Sequence, residues 1–333
     1  MAEFDVFSPQ ISKVIKGLSG KIVTIYGSEG TGKSKQCAKM SKPLFLCFEE
    51  GLGAVGATKK LPIENWSDFI RYNKQLCDKK TVDQARELYD TIVLDSIDAM
   101  ENICTEYVCL QNGVRAIGDI PHGAGYKIYE NTFWKEINKI TKAGYTCVFI
   151  GHPVATGTDE DRFITIKGDL KRTVQPITSR SDVVAYLQPQ GIDDKGKPIH
   201  SSAWLVQTND FFARSRFEEI VPYLEEFTAE NLEKAIIQAI EKEEKTIGKD
   251  NMTTFEENKK VNNVVHKTYD ELMDEMQMLG EKIAEAGKMD DLTYIVEQHL
   301  GVGKRASDLR KGQEPVIEAI IMDLEEYVES SLA

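Results

Sequence analysis

Short apolar runs alternate with longer amphipathic stretches over the first two thirds of the chain. Residues 21–26 (KIVTIY), 44–48 (LFLCF), 91–94 (TIVL) and 146–150 (TCVFI) are rich in β-branched and aromatic side chains and nearly free of charge. Runs of this length, apolar at odd and even positions alike, are the pattern of strands buried on both faces, as in a parallel sheet. Residues 32–40, 66–77 and 127–142 have the length and apolar spacing of helices that would cover such a sheet as crossovers. Residues 183–188 (VVAYLQ) and 202–207 (SAWLVQ) flank the turn-forming GIDDKGKP, which predicts an antiparallel hairpin at the sheet's margin. The fold class expected is α/β, a mostly parallel sheet flanked by helices.

Past Thr228 the pattern changes to helices. AENLEKAIIQAIEKEE has helical apolar spacing, and IGKDNMTTFEENKKVNN then reads as a polar linker. The expected organisation is one α/β domain over residues 1–245, a linker over 246–262 and a small helical region over 263–333, broken at GKMDD and GVGKRASDLRKGQEP. The C-terminal helices could dock a single-strand-binding or replication protein, oligomerise or protect the core, and the apolar spacing of DLTYIVEQHLG and EAIIMDLEEYV more often marks an ordinary helical core than a partner-binding face.

Composition narrows the function classes. No run approaches the ~20 apolar residues of a membrane-spanning helix. The start, MAEFDVFSPQIS, lacks the basic-then-apolar order of a secretory signal, so a cytoplasmic location is expected. Cys37, Cys47, Cys77, Cys104, Cys109 and Cys147 are scattered, and no second Cys or His pair completes a zinc pattern around Cys104 and Cys109. The net charge of -13 opposes non-specific binding to a polyanion. Much of the acid lies after residue 217, in FEEIVPYLEEF and EKEEK, so charge must be read by region.

The chemistry concentrates at strand ends. GSEGTGKS (Gly27, Ser28, Glu29, Gly30, Thr31, Gly32, Lys33, Ser34) fits the phosphate-loop pattern and lies between a predicted strand and a predicted helix. Glycines let backbone N–H groups fold around phosphates, Lys33 reaches the β and γ oxygens, and the Ser34 hydroxyl is placed to ligate Mg²⁺. In TIVLDSID, Asp95 ends an apolar strand, where a carboxylate can hold the Mg²⁺ water shell. A helix N-cap is the alternative role there, one that Ser96 or Asp98 can also fill. LFLCFEEGLG presents Glu49 and Glu50 where ligands gather in open α/β sheets, and either could polarise an attacking water.

Taken together, the phosphate loop, EEGLG, VLDSIDAM and VFIGHP resemble the RecA/Rad51-type ATPase core in the compact form found in bacteriophages. The chain is most similar to the phage RecA-like single-strand-annealing ATPases of recombination, over roughly residues 18–225. The resemblance implies a RecA-like P-loop fold, ATP with Mg²⁺ as ligands, Glu49 as the carboxylate that activates water, with Glu50 as fallback, and His152 as a γ-phosphate sensor. RecA itself has an amide at the position of His152, and on residue chemistry alone this histidine serves equally well as a strand cap. FFARSRF resembles the basic-x-basic pair with which one subunit of a RecA-like homo-oligomer reaches its neighbour's nucleotide. Arg214 and Arg216 are the candidates, and arginines on an exposed strand edge are the plainer reading.

Two long segments, 112–126 and 153–181, occupy positions that resemble the DNA-contacting loops of those proteins. They carry Arg115, Arg162, Lys167, Lys171 and Arg172, with Phe163 available for stacking, and are diluted by Asp159, Glu160, Asp161 and Asp169. The expected activity is Mg-dependent, DNA-stimulated ATP hydrolysis coupled to single-stranded DNA binding and annealing or strand pairing. The alternative is a nucleotide-switched ATPase that recruits a protein partner without touching DNA.

Overall fold

The computed structural model describes residues 9, 11–50, 53, 55–158, 161–197, 199–261 and 267–331. Within the EEGLG segment, Gly51 and Leu52 lie outside the described residues, as do Asp159 and Glu160 and the last residue of the expected linker, Asn262. The described chain divides into two compact units, one ending at Val261 and one comprising the described residues from Lys267 onward.

The first unit runs β1 (Val14–Ile15), β2 (Ile22–Gly27), α1 (Lys33–Cys37), β3 (Pro43–Cys47), β4 (Lys59–Pro62), α2 (Trp66–Cys77), α3 (Val82–Leu88), β5 (Thr91–Asp95) and α4 (Ile97–Asn112). It continues through α5 (Ala124–Lys142), β6 (Thr146–Gly151), β7 (Pro153–Thr156), β8 (Phe163–Ile166), α6 (Gln175–Arg180), β9 (Val183–Gln188), β10 (Ser202–Trp204), β11 (Arg214–Ser215), β12 (Tyr223–Leu224), α7 (Ala229–Ile247), β13 (Met252–Thr253) and α8 (Phe255–Val261). The central sheet has nine strands in the order β12-β10-β9-β2-β6-β5-β3-β4, with β11 also on β9. Strands β4, β3, β5, β6, β2 and β9 are parallel, and β10, β11 and β12 add antiparallel pairings at one margin.

Strand alternation builds one core on each face. Ile22, Tyr26, Ile92, Leu94, Cys147 and Phe149 pack in a cluster with Trp66, Phe69 and Phe133 of the covering helices. The intervening Val23, Ile25, Val93, Val148 and Ile150 pack in the other, with Leu232, Ile236 and Ile240 of α7. The period of two within β2, β5 and β6 thus divides their side chains between two helical layers.

Several boundaries differ from expectation. Helix α1 is short, and β10 ends at Trp204. Neither long segment is an open loop. Residues 112–126 contain two short 3-10 turns and the start of α5, while 153–181 fold as the β7–β8 hairpin, a π-helical turn over Leu170–Val174 and α6. VAT and FITI are rich in β-branched residues, which favour extended backbone.

The expected linker is also corrected: β13 pairs in parallel with β1, and α8 follows. The Phe255 ring lies against Gly20 and Gly144, where an added Cβ would come within 2.6 and 2.7 Å of the ring. Met252 and Phe255 supply the apolar anchors that the polar average of this stretch conceals.

The second unit, described by itself, comprises α9 (Tyr269–Glu285), α10 (Met289–Leu300) and α11 (Glu314–Ser331), packed around Leu272, Met276, Ile283, Val296, Ile317, Ile320 and Leu324. No helix among the described residues is long and apolar enough to cross a membrane.

If the segment after α7 belongs to the first unit, Phe255→Ala should cost about 1–3 kcal/mol, less than a fully buried Phe because this ring is only partly covered. Urea unfolding of the full chain measures it, and a loss below a few tenths of a kcal/mol would return the segment to a linker.

Candidate functional site

Parallel register decides what meets at the sheet's C-terminal edge. Tyr26 faces Gly151, Ile150 faces Asp95, and Asp95 faces Cys47. The residues that follow each strand therefore leave the sheet at one level: the phosphate loop after β2, His152 after β6, Glu49 shortly after β3. Because β6 lies between β2 and β5, His152 emerges between the phosphate loop and Asp95.

The loop's first glycine is fixed by close approach. A Cβ on Gly27 would sit 2.8 Å from the Leu187 side chain and carbonyl on β9. Gly32 is left-handed at φ +85, a conformation that glycine adopts without strain, and delivers the chain into α1. With only five residues, that helix contributes little dipole, so binding capacity rests on the loop's N–H groups and side chains. Glu29 and Gly30 are exposed, and Thr31 Oγ1 donates to the Ser28 carbonyl at 2.7 Å, bracing the turn.

Lys33 is buried and donates to the carbonyls of Gly27 at 2.6 Å and Ser28 at 2.9 Å. Burial pushes its pKa down, opposed by Asp95, Glu29 and Glu49. Ser34 Oγ donates to Asp95 Oδ2 at 3.0 Å. Burial raises the Asp95 pKa, against the lowering effect of the Ser34 hydrogen bond. A hydroxyl and a carboxylate side by side are a hard oxygen donor set, and the buried carboxylate gains from a nearby divalent cation. These residues fit Mg²⁺ and a nucleotide's phosphates.

Around this pair lies a second network. His152 Nδ1 is 3.0 Å from Asp98 Oδ1, and its Nε2 is 3.9 Å from Glu49 Oε1. The longer separation is beyond hydrogen-bond reach, so that contact is electrostatic. The Asp98 hydrogen bond, partly opposed by burial, holds the His152 pKa above its usual value. Lys167 Nζ donates to Asp98 Oδ2 at 2.8 Å. Glu49, Asp98 and His152 offer ligand atoms within 4.8 Å of one another. Here, however, the two ring nitrogens face different carboxylates and Lys167 holds the second Asp98 oxygen, an arrangement that favours an ion-pair chain over a metal. Glu50 is exposed.

Other candidates lie elsewhere. Arg214 faces Val184 on β9 whereas Gly27 faces Leu187, so about 10 Å of strand separates them at ~3.3 Å per residue. Arg214 donates to the carbonyls of Thr178 and Ser179, and Arg216 donates to Ser179 and pairs with Asp182 at 3.5 Å. Neither arginine joins the phosphate loop of its own chain. Arg115, Arg162 and Lys171 are exposed. Arg172 instead pairs with Asp169 at 2.8 Å and lies over the rings of Tyr126 and Tyr129, at 5.4 and 5.7 Å from their centroids. Tyr126 from the first segment and Lys171 and Arg172 from the second line one cavity of about 540 Å³.

The residue that sequence reasoning missed at the centre is Asp98, considered there only as a helix cap. The available signal was its spacing: it lies in the first turn of the helix that follows Asp95, beside the strand edge.

Comparison with known proteins bears on this geometry. A family model described as an AAA domain matches residues 19–217. The SPbeta prophage-derived uncharacterized protein YorG of Bacillus subtilis (strain 168) is 44% identical over 325 residues, covering 97% of this chain and 98% of that protein.

Lys33→Ala should abolish nucleotide binding measured by equilibrium titration, whereas Glu49→Gln should retain binding and lower turnover by at least about a hundredfold if Glu49 is a general base. Normal turnover in Glu49→Gln would remove that role.

Proposed function

Because the chain belongs to the AAA-domain family of P-loop ATPases, we propose that it hydrolyses MgATP and couples the cycle to binding single-stranded DNA and promoting annealing or strand pairing. The observation that carries the nucleotide reading is the 3.0 Å contact between Ser34 and Asp95 beside the buried Lys33. These two residues would hold Mg²⁺, which would supply neutralising charge to the phosphate oxygens. Lys33 gives up its carbonyl contacts to bind phosphate, and the loop's N–H groups from Gly27 to Ser34 orient it. Glu49 takes a proton from water, with His152 beside it as the polar group that senses the terminal phosphate.

Support for the DNA reading comes from the joining of the two segments. Tyr126 gives a stacking ring 47% exposed, and Lys171 and Arg172 at the same cavity are cations suited to phosphate. Arg162 on the hairpin and Arg115 before α5 add exposed positive charge. Arg172 is already engaged by Asp169, so its part is to hold Tyr126 in place as much as to meet a phosphate. In this reading the molecule works as a homo-oligomer, with Arg214 or Arg216 released from Ser179 to reach a neighbour's phosphates. The prophage origin stated in the relative's name supports a phage-encoded protein acting in the host cytoplasm. The C-terminal helices remain the proposed face for a replication or single-strand-binding protein.

A second reading is favoured by the net charge of -13: ATP binding switches recruitment of a protein partner, with no DNA involved. Steady-state ATP hydrolysis with and without an oligonucleotide, at rising salt, separates them. The DNA reading predicts a stimulated rate, absent in Lys33→Ala, and oligonucleotide binding that weakens steeply with salt as counterions are released. Hydrolysis indifferent to DNA, without salt-sensitive binding, favours the partner switch.

A further inference from the structure

The carboxylate of Asp98 receives more donors than any helix cap requires. Its Oδ1 accepts from Ser96 Oγ at 3.0 Å and lies 3.0 Å from His152 Nδ1, while Oδ2 accepts from Lys167 Nζ at 2.8 Å. The side chain is 15% exposed. Lys167 is tied twice, because its backbone N–H also donates to the His152 carbonyl at 2.8 Å. His152 and the strand β8 that ends beside Lys167 are thereby fastened to the first turn of α4, immediately after the strand that presents Asp95.

A histidine ring has two distinct nitrogens, and the partner of one determines what the other can do. With Nδ1 engaged by Asp98, the ring plane is fixed and Nε2 is left facing Glu49, 3.9 Å away. We propose that Asp98 is a positioning residue for hydrolysis: it fixes His152 so that Nε2 addresses Glu49 and the terminal phosphate, and Lys167 locks Asp98 in that orientation. This inference rests on the ATPase reading above, and deepens it by assigning the group that makes His152 effective.

The charge environment agrees with the geometry. Asp98 is held well below the usual carboxylate range by its bonds to His152, Lys167 and Ser96, which overcome the cost of burial, so it remains an anion. The groups that act on His152 are Asp98 and Glu49, which favour its protonated form, and Lys33, which opposes it. Asp95 also senses the imidazole charge. Lys167 bonds the Asp98 oxygen opposite the one that faces the ring.

The plainer role for Asp98 is stabilising the N-terminus of α4 by its charge. A helix cap alone has no reason to alter the titration of His152 or to separate kcat from KM, and these two readouts decide between the roles. Asp98→Asn keeps an oxygen acceptor but loses the charge, and Asp98→Ala removes both.

The test is NMR titration of His152 in the full chain, assigned with His152→Gln, together with steady-state ATP kinetics of each variant. The expected result is a His152 pKa that falls toward 6.5 in Asp98→Asn, since loss of the anion removes what raised it. With it, kcat should fall by at least about tenfold while KM changes by less than about threefold, and Asp98→Ala should be the more impaired. An unmoved His152 titration, or a kcat equal to wild type, would overturn the proposal. If the wild-type chain hydrolyses no ATP, the ATPase reading fails by itself. The titration then still decides whether Asp98 controls His152: a downward shift supports that control, and no shift removes it.

Discussion

The structure depends on the parallel register of four adjacent strands, β2, β6, β5 and β3. Their pairing holds Ile25, Ile150, Asp95 and Cys47 at one level across the sheet, so four separate segments of chain deliver their next residues to one edge. Register in a sheet buried on both faces is strongly specified, because a one-residue slip exchanges the side chains of the two helical layers. Here a slip of β5 would also turn Asp95 away from Ser34. The hydrophobic alternation that packs Trp66 and Phe133 on one face and Ile236 on the other therefore also sets the site's geometry.

Burial then tunes what the register has assembled. Lys33 and Asp95 are both held in low-dielectric surroundings that push each toward its neutral form, and each is partly offset by neighbours of opposite character. A triphosphate and a divalent cation would supply the complementary charges, anionic oxygens for the lysine and a cation for the carboxylate. The outer pair, Glu49 and His152, is more exposed, and its histidine is held by Asp98, which is itself bonded to Lys167. The site thus has a buried binding half and a more accessible half suited to water.

Much of this was legible in the chain itself. The phosphate loop, Asp95, Glu49 and His152 follow apolar runs, and a strand's end is where a parallel sheet concentrates its polar chemistry. Asp98 was not legible because its importance comes from a contact with His152, 54 positions away, that only the order of strands creates. Arg172 was read by charge as a candidate phosphate contact, and Asp169 three residues earlier and two tyrosines from another segment engage it. The stretch at residues 249–261 misled by averaging: Met252 and Phe255 dock it, and the groove for Phe255 is made by two glycines remote in sequence. In each case deciding partners lie far away in sequence, and only the tertiary fold brings them together.

A metal-dependent nucleotide site would rest on Ser34 and Asp95. Calorimetric titration of the full-length protein with a non-hydrolysable ATP analogue, in Mg²⁺ and in EDTA, for wild type and Asp95→Asn, tests it directly. Wild type should bind tightly in Mg²⁺, and affinity should fall by at least about tenfold, or about 1.4 kcal/mol, on chelation or in the variant. Equal affinity in all four conditions would contradict it.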